Sequence, residues 1–212
     1  MVNIVTVCVD YDDFLSLCLP TWKRFTDLIT VVTTPDDLRT QEICEKESAK
    51  CVLSYNLHKD NIKFNKSALL NDGLRSLENP EWIWLLDADT HLGWEGMIYE
   101  KRTVYKLGFG NINFDALDKE FLYQTKRRIF KDYASWKEGR YMENGYWGYF
   151  HLYHVTASRL GKLGIYYDDK IGHGDKEFQE RFSGKIASFS DSVNHLGEPQ
   201  TNWDGRITER WK

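Results

Sequence analysis

The sequence predicts one α/β domain built on a mostly parallel central sheet of the nucleotide-binding kind, and three observations carry that expectation. Roughly the first 90 residues alternate strand-like and helix-like runs, the pattern of βαβ units. The unbroken apolar run Trp82 to Leu86 reads as a buried strand, and it ends abruptly on two carboxylates, Asp87 and Asp89. A chain of 212 residues, 42% hydrophobic and 15% aromatic, has enough apolar material for one sizeable core.

The elements follow in order. Asn3 to Val9 is apolar and β-branched, and reads as the first strand, closed by the polar turn Asp10-Tyr11-Asp12-Asp13. Phe14 to Phe25 reads as a helix, with Phe14, Leu17, Cys18 and Trp22 at helical spacing and Pro20 predicting a kink. Asp27 to Thr34 is a second strand, stopped by Pro35-Asp36-Asp37. Leu38 to Ala49 is a charged helix, Cys51 to Tyr55 a short strand, and Asn65 to Leu77 a helix bearing Ala68, Leu69, Leu74 and Leu77. Asn79-Pro80 ends that helix, and the Trp82 strand follows.

Beyond Leu92 the alternation stops. Asp115 to Glu138 is expected to be helical through Phe121, Leu122, Ile129, Phe130 and Tyr133. Gly145 to His154 reads as a glycine-punctuated turn leading into a strand, and Thr156 to Leu163 as a short helix. Asp175 to Phe182 is a helix with acid at its start and Arg181 in its last turn. Ile186 to Val193 is the final strand, and the tail from His195 on is polar.

Composition excludes several classes. Lys+Arg number 28 against 32 Asp+Glu, so the charges are plentiful but balanced, unlike those of a disordered chain. No run approaches the roughly 20 apolar residues that span a bilayer, and Val2 to Val9 is too short for a secretory signal. Cys8, Cys18, Cys44 and Cys51 lack metal-type spacing and are expected as reduced thiols in a cytosol. Lys101 to Arg140 holds ten basic residues against five acidic ones, on a chain whose net charge is −4. Such a segment is either a solvated face or a contact for an anionic partner.

Ligands of α/β sheets bind outside the carboxyl ends of the strands. An Asp-x-Asp pair at such an end suits a hard divalent cation shared with a substrate's phosphates, or simply an acidic turn.

Several stretches together resemble GT-A fold glycosyltransferases, which move a sugar from a nucleotide-sugar donor to an acceptor. They are the first strand with Asp10 to Leu15, the strand end Val31 to Asp37, and Phe64 to Leu74 leading into Leu85-Leu86-Asp87-Ala88-Asp89. Gly164 to Arg181 is similar to a galactosyltransferase-type C-terminal signature, and Val193-Asn194-His195-Leu196-Gly197 to the late histidine of many such metal sites. The first half is family-2-like. The resemblance implies a GT-A type α/β/α sandwich in a single domain. Residues 1–92 would be the nucleotide-sugar half, 93–144 a basic and partly helical insertion, and 145–212 the acceptor and catalytic half.

The resemblance also implies a metal-dependent, inverting transfer. Asp89 and His195 would hold Mn²⁺ (or Mg²⁺), imidazole favouring the transition metal, with Asp87 near the ribose or reaching the metal through water. Asp175 would be the base for the acceptor hydroxyl, with Asp168 and Asp169 as adjacent alternatives, or only a helix cap. Where the family usually has Glu-Asp, this chain has Gly174-Asp175. Donor contacts would come from Thr6, Val7, Cys8 and Val9 by backbone, from Asp36 or Asp37 by carboxylate, and from Lys66 to the diphosphate. Trp147 and Tyr149 would flank the acceptor, which is a saccharide or a hydroxymethylated DNA base of the kind some phage enzymes modify. Two other classes stay open: a nucleotidyltransferase of related fold, against which the acidic Asp10 to Asp13 turn counts, and a non-catalytic sugar- or nucleotide-binding module.

Overall fold

A computed structural model describes residues 1–92, 112–144, 150–168, 170–171, 174–197 and 206–211. Its centre is one nine-stranded sheet with the order β3-β2-β1-β4-β8-β6-β9-β5, and β7 pairs with β6 off this path. The first half is wholly parallel: β1 (Val2–Val7) lies between β2 (Ile29–Thr33) and β4 (Trp82–Leu86), and β3 (Lys50–Leu53) edges β2. Beyond β4 the sheet is mixed. β8 (Phe150–His154) runs antiparallel to β4, β6 (Leu122–Phe130) pairs with β8, and β9 (Ile186–Leu196) runs parallel to β6. The short β5 (Thr90–His91) closes the far edge on β9, and β7 (Met142–Asn144) hairpins onto β6.

Helices cover both faces. α1 (Asp12–Trp22) buries Phe14, Leu15, Cys18, Leu19 and Trp22 in a cluster that includes Ile4, Val31, Trp84 and Phe150. It runs through Pro20, an exposed position two residues before its end, without stopping there. α2 (Leu38–Lys46) contributes Cys44 to the same face. On the opposite face α3 (Lys66–Arg75) and α5 (Asp175–Arg181) pack Leu69, Leu74, Phe178 and Phe182 against Val5, Val32 and Ile83. At Gly73 the α3 backbone lies so close to the sheet that a Cβ would sit 2.6 Å from Val32 and 2.8 Å from Val5. All four cysteines are unbridged. No helix among the described residues is long and apolar enough to cross a membrane.

The expected helix over Asp115 to Glu138 is corrected. Leu122–Phe130 is a strand inside the sheet, and only Tyr133–Glu138 is helical (α4). Eight of the nine residues of β6 pair with β9, some 64 to 66 positions later, and that distant ladder overrides the local helical spacing. Thr156 to Leu163 is likewise a 3-10 turn over Ser158–Leu163, with left-handed glycine at 161. The final strand continues past Val193 to Leu196, so His195 is a strand residue and not part of the tail.

The tail returns to the first turn of the chain. Arg206 pairs with the Asp13 carboxylate through both terminal nitrogens, donates to the Asp10 carbonyl at 3.0 Å, and lies over the rings of Tyr11 and Phe14. Arg210 pairs with Asp12, the Trp211 amide donates to Asp13 at 2.6 Å, and the Trp211 ring meets Phe14 edge-on.

Candidate active site

The apolar run of β4 ends at Leu86, and the chain turns at once, with the Thr90 amide bonded to the Asp87 carbonyl at 2.9 Å. The turn is held from two sides. The Trp22 indole donates to the Thr90 carbonyl at 2.7 Å, and the Leu196 amide donates to the Asp89 carbonyl at 2.9 Å. Because β5 pairs antiparallel with β9 in the register Thr90↔His195, the imidazole arrives beside Asp89. His195 Nε2 lies 3.5 Å from Asp89 Oδ2, and both side chains are nearly buried.

Burial, followed by the neighbouring Asp87 charge, raises the Asp89 carboxyl to about 8, against the lowering pull of Arg127 and Lys66. Burial, helped by Arg127, lowers His195 to about 3, so its ring is neutral. Asp89 Oδ1 is buried and has no hydrogen-bond partner among the described residues. A neutral imidazole nitrogen beside a buried carboxylate with an unanswered oxygen fits a transition-metal cation. No group of three or more His, Cys, Asp or Glu side chains suited to a metal occurs among the described residues.

Lys66 joins this pair to the rest of the site. It is the first helical residue of α3, whose Asn65 caps the Ala68 amide at 2.9 Å. A cation at a helix N-terminus opposes the helix dipole, but here two carboxylates answer it. Lys66 Nζ lies 2.7 Å from Asp87 Oδ1 and 3.1 Å from Asp175 Oδ2. Burial alone would depress its pKa; Asp175 and Asp87 outweigh that and raise it. One ammonium thus gathers the strand-end carboxylate and the first residue of α5.

The α5 end is placed by α3. The Gly174 amide donates to Ser67 Oγ at 3.0 Å, and Asn71 makes a double hydrogen bond with the Tyr167 backbone at 2.8 and 2.9 Å. A Cβ at Gly174 would meet Ser67 Oγ at 2.9 Å and the Tyr167 ring at 3.0 Å. That close approach explains why glycine precedes Asp175. Beneath lies His151, bonded to the Tyr167 hydroxyl and to the Gln179 amide, each at 3.0 Å, and stacked on Phe178. Burial first, then the Lys66 charge, lowers it to about 3.

The other expected residues fall out differently. Asp36 is exposed at the end of β2. Asp37 is buried and fully engaged: it caps the Thr40 amide and accepts from the Asp10 amide and from the Thr33 and Thr40 hydroxyls. It is a buckle between the first two βα turns rather than an open ligand. Thr6 is fully buried inside the β1 ladder, and Cys8 is buried with its Sγ against the Thr40 hydroxyl and its amide bonded to the Val32 carbonyl at 2.9 Å. Val9 is half-buried at the same strand end. His91 is buried and packs edge-on against Trp136, as a core histidine does. Trp147 and Tyr149 lie outside the described residues.

Two residues went unnoticed in the sequence: Arg127, whose charge reaches Asp89 and His195, and His151. An arginine within Lys126-Arg127-Arg128 carries no local mark of burial, and His151 sits in an aromatic run that reads as core. A cleft of about 790 Å³ lies nearby between Phe14, Lys131, Gly197 and Trp211; none of Lys66, Asp87, Asp89, Asp175 or His195 lines it.

No family model and no curated protein matches the sequence. Among solved structures, the chain is similar to a cytidylyltransferase from Leptospira borgpetersenii (14% identity, 99% of this chain and 81% of that one, TM-score 0.49). It is also similar to glucosyl-3-phosphoglycerate synthase from Mycobacterium tuberculosis in complex with phosphoglyceric acid (11%, 95% and 72%, 0.48). A third is a galactosyltransferase in complex with donor and acceptor sugar analogs (11%, 94% and 88%, 0.44). With TM-scores below 0.5 these likenesses carry no argument about what the chain does, which rests on the site itself.

Proposed function

We propose that this chain is a metal-dependent inverting glycosyltransferase, moving a sugar from a nucleotide-diphosphate sugar to a hydroxyl acceptor. The observation that carries the reading is Lys66, which bridges Asp87 and Asp175 beside the buried Asp89–His195 pair at the carboxyl end of β4. Residues 1–92 form the donor half in this reading, with Asp36 open to the ribose and the end of β1 offering backbone to the base.

Asp89 and His195 would hold a divalent cation, Mn²⁺ by preference, which would supply Lewis-acid charge to a departing diphosphate. Lys66 stabilises the same charge. When a diphosphate competes for its ammonium, the ion pair with Asp175 loosens and the Asp175 carboxylate becomes available. Asp175 then accepts the proton of the acceptor hydroxyl as that oxygen bonds to the anomeric carbon. The bond from that carbon to the diphosphate breaks, and the diphosphate leaves with the electron pair. One displacement without a covalent intermediate inverts the anomeric centre. The acceptor is a saccharide or a hydroxymethylated DNA base; strong loss of acceptor binding with salt marks the DNA case.

The test is donor hydrolysis with Mn²⁺ and a panel of UDP-, GDP- and TDP-sugars, following nucleotide release. Release from one donor is expected, abolished by EDTA and by Asp89→Ala, while Asp175→Asn keeps donor binding and loses transfer. Absence of metal-dependent binding of any nucleoside diphosphate by calorimetry overturns the proposal.

A further inference from the structure

One turn after Asp175, α5 carries Gln179, and residues four apart share a helix face with about 5–6 Å between their Cβ atoms. The residues between them are otherwise committed. Lys176 is exposed, Glu177 is held by Arg181 through both carboxylate oxygens at 3.0 and 2.9 Å, and Phe178 is core. Gln179 is half-buried, and its carboxamide meets His151 Nε2 at 3.0 Å. His151 Nδ1 lies 3.0 Å from the Tyr167 hydroxyl, and both rings stack on Phe178. His151 is 0% exposed and Tyr167 2%, so a polar chain is buried among aromatic rings and surfaces at one carboxamide. Such burial is costly unless the groups are bonded to one another.

The ring is neutral and carries one proton. With the proton on Nδ1, the ring donates to Tyr167 and accepts from the Gln179 amide. With it on Nε2, the carboxamide turns over to accept and the Tyr167 hydroxyl donates. In both arrangements the ring fixes one half of the carboxamide, and the other half has no hydrogen-bond partner among the described residues. A second carboxamide lies close by. Gln124 is 4% exposed, its buried Nε2 has no partner among the described residues, and the register Tyr123↔Leu152 of antiparallel β6 and β8 sets it opposite His151.

We propose that Gln179 hydrogen-bonds an acceptor hydroxyl adjacent to the one that Asp175 deprotonates, and that His151 is the positioning residue fixing its carboxamide. The acceptor is then a saccharide, which carries neighbouring hydroxyls, and not a hydroxymethylated DNA base, whose hydroxyl has no neighbour. This rests on the transferase reading above. A carboxamide both donates and accepts, as a hydroxyl does, so the match needs no charge.

The experiment measures transfer from UDP-, GDP- and TDP-glucose with Mn²⁺ to methyl glucoside, galactoside and mannoside, and to an oligonucleotide carrying hydroxymethylcytosine. The glycoside used is then compared with its deoxy analogue lacking the hydroxyl next to the one glycosylated. Wild type is expected to prefer the parent glycoside about tenfold in kcat/KM. In Gln179→Met that preference is expected to shrink to within about twofold, and in His151→Phe, which keeps the stacked ring shape, to within about threefold. If circular dichroism shows His151→Phe unfolded, His151→Asn takes its place with the same expectation. Equal losses on the parent and the deoxy analogue overturn the proposal, since a merely structural defect does not erase discrimination. Transfer to the oligonucleotide alone, or to no glycoside, also overturns it. A wild-type protein that binds no nucleoside diphosphate with Mn²⁺ overturns the transferase reading itself.

Discussion

Replacing Lys66 with methionine tests the centre of the site through stability, independently of any substrate. The ammonium stands 2.7 Å from one Asp87 oxygen and 3.1 Å from one Asp175 oxygen. At an effective dielectric of about 20 those separations give gross attractions of about 6 and about 5 kcal/mol, most of which desolvation offsets. Removing one partner from a buried pair typically costs about 3–5 kcal/mol. Here the three side chains keep 15–30% of their exposure, so a discounted loss of about 2–4 kcal/mol is expected. For a chain of this size that is a fall in Tm of roughly 5–15 °C. Thermal and urea unfolding at neutral pH measure it. The double variant Lys66→Met, Asp87→Asn should recover about half the loss, because it leaves one stranded carboxylate instead of two. A single variant within about 2 °C of wild type would refute the bridge, as would a double variant whose losses simply add.

The fold supports three further expectations. Burial lowers His91 to about 4 and His151 to about 3, so the unfolded chain takes up protons below about pH 6.5 that the native state refuses. The contribution of these histidines, and of His195 lowered in the same way, should therefore be full above about pH 6.5 and fall with pH below it, by up to about 1.4 kcal/mol per unit for each, while the proton that buried Asp89 keeps up to about pH 8 offsets one of them. Urea midpoints across pH 5–7 test this, and a flat profile in wild type contradicts it. Gly73→Ala should destabilise by about 1–3 kcal/mol, despite alanine's better helix propensity, because its methyl meets Val32 and Val5; a gain in urea midpoint would show that α3 can lift. Asp37→Ala should lose about 2–3 kcal/mol by removing a cap and three further hydrogen bonds; a loss of nucleotide affinity at unchanged stability would make it a ligand contact after all.

The first half of the chain was legible because its signals are local. The runs Val2 to Val7 and Trp82 to Leu86 are buried on both faces and need no partner to be recognised. The strand-end position of Asp87 and Asp89 follows from where the apolar run stops. The second half hides its strands. β6 carries Gln124, Thr125 and Arg127 inward, so its alternation of apolar and polar residues is broken, and β9 is rich in serine where it pairs. The ladder between them, with the pairings to β5, β7 and β8, makes both extended, and that is a long-range fact. The same ladder decides that Arg127 and not Arg128 faces the site. Asp36 and Asp37 looked interchangeable in sequence; hydrogen bonds to Asp10, Thr33 and Thr40 separate a buried buckle from an exposed carboxylate.

The contacts of Arg206 and Arg210 with Asp13 and Asp12 join residues 193 and 198 positions apart. A ribosome adds roughly 5–20 residues each second, so the opening strand and its acidic turn wait on the order of 10–40 seconds for the arginines that neutralise them. In that interval Asp12 and Asp13 are without their counter-charges. Closing so long a loop adds little entropy beyond that of a shorter one, but it can happen only after Arg206 and Arg210 have emerged. The turn beside β1 is therefore completed long after it is made.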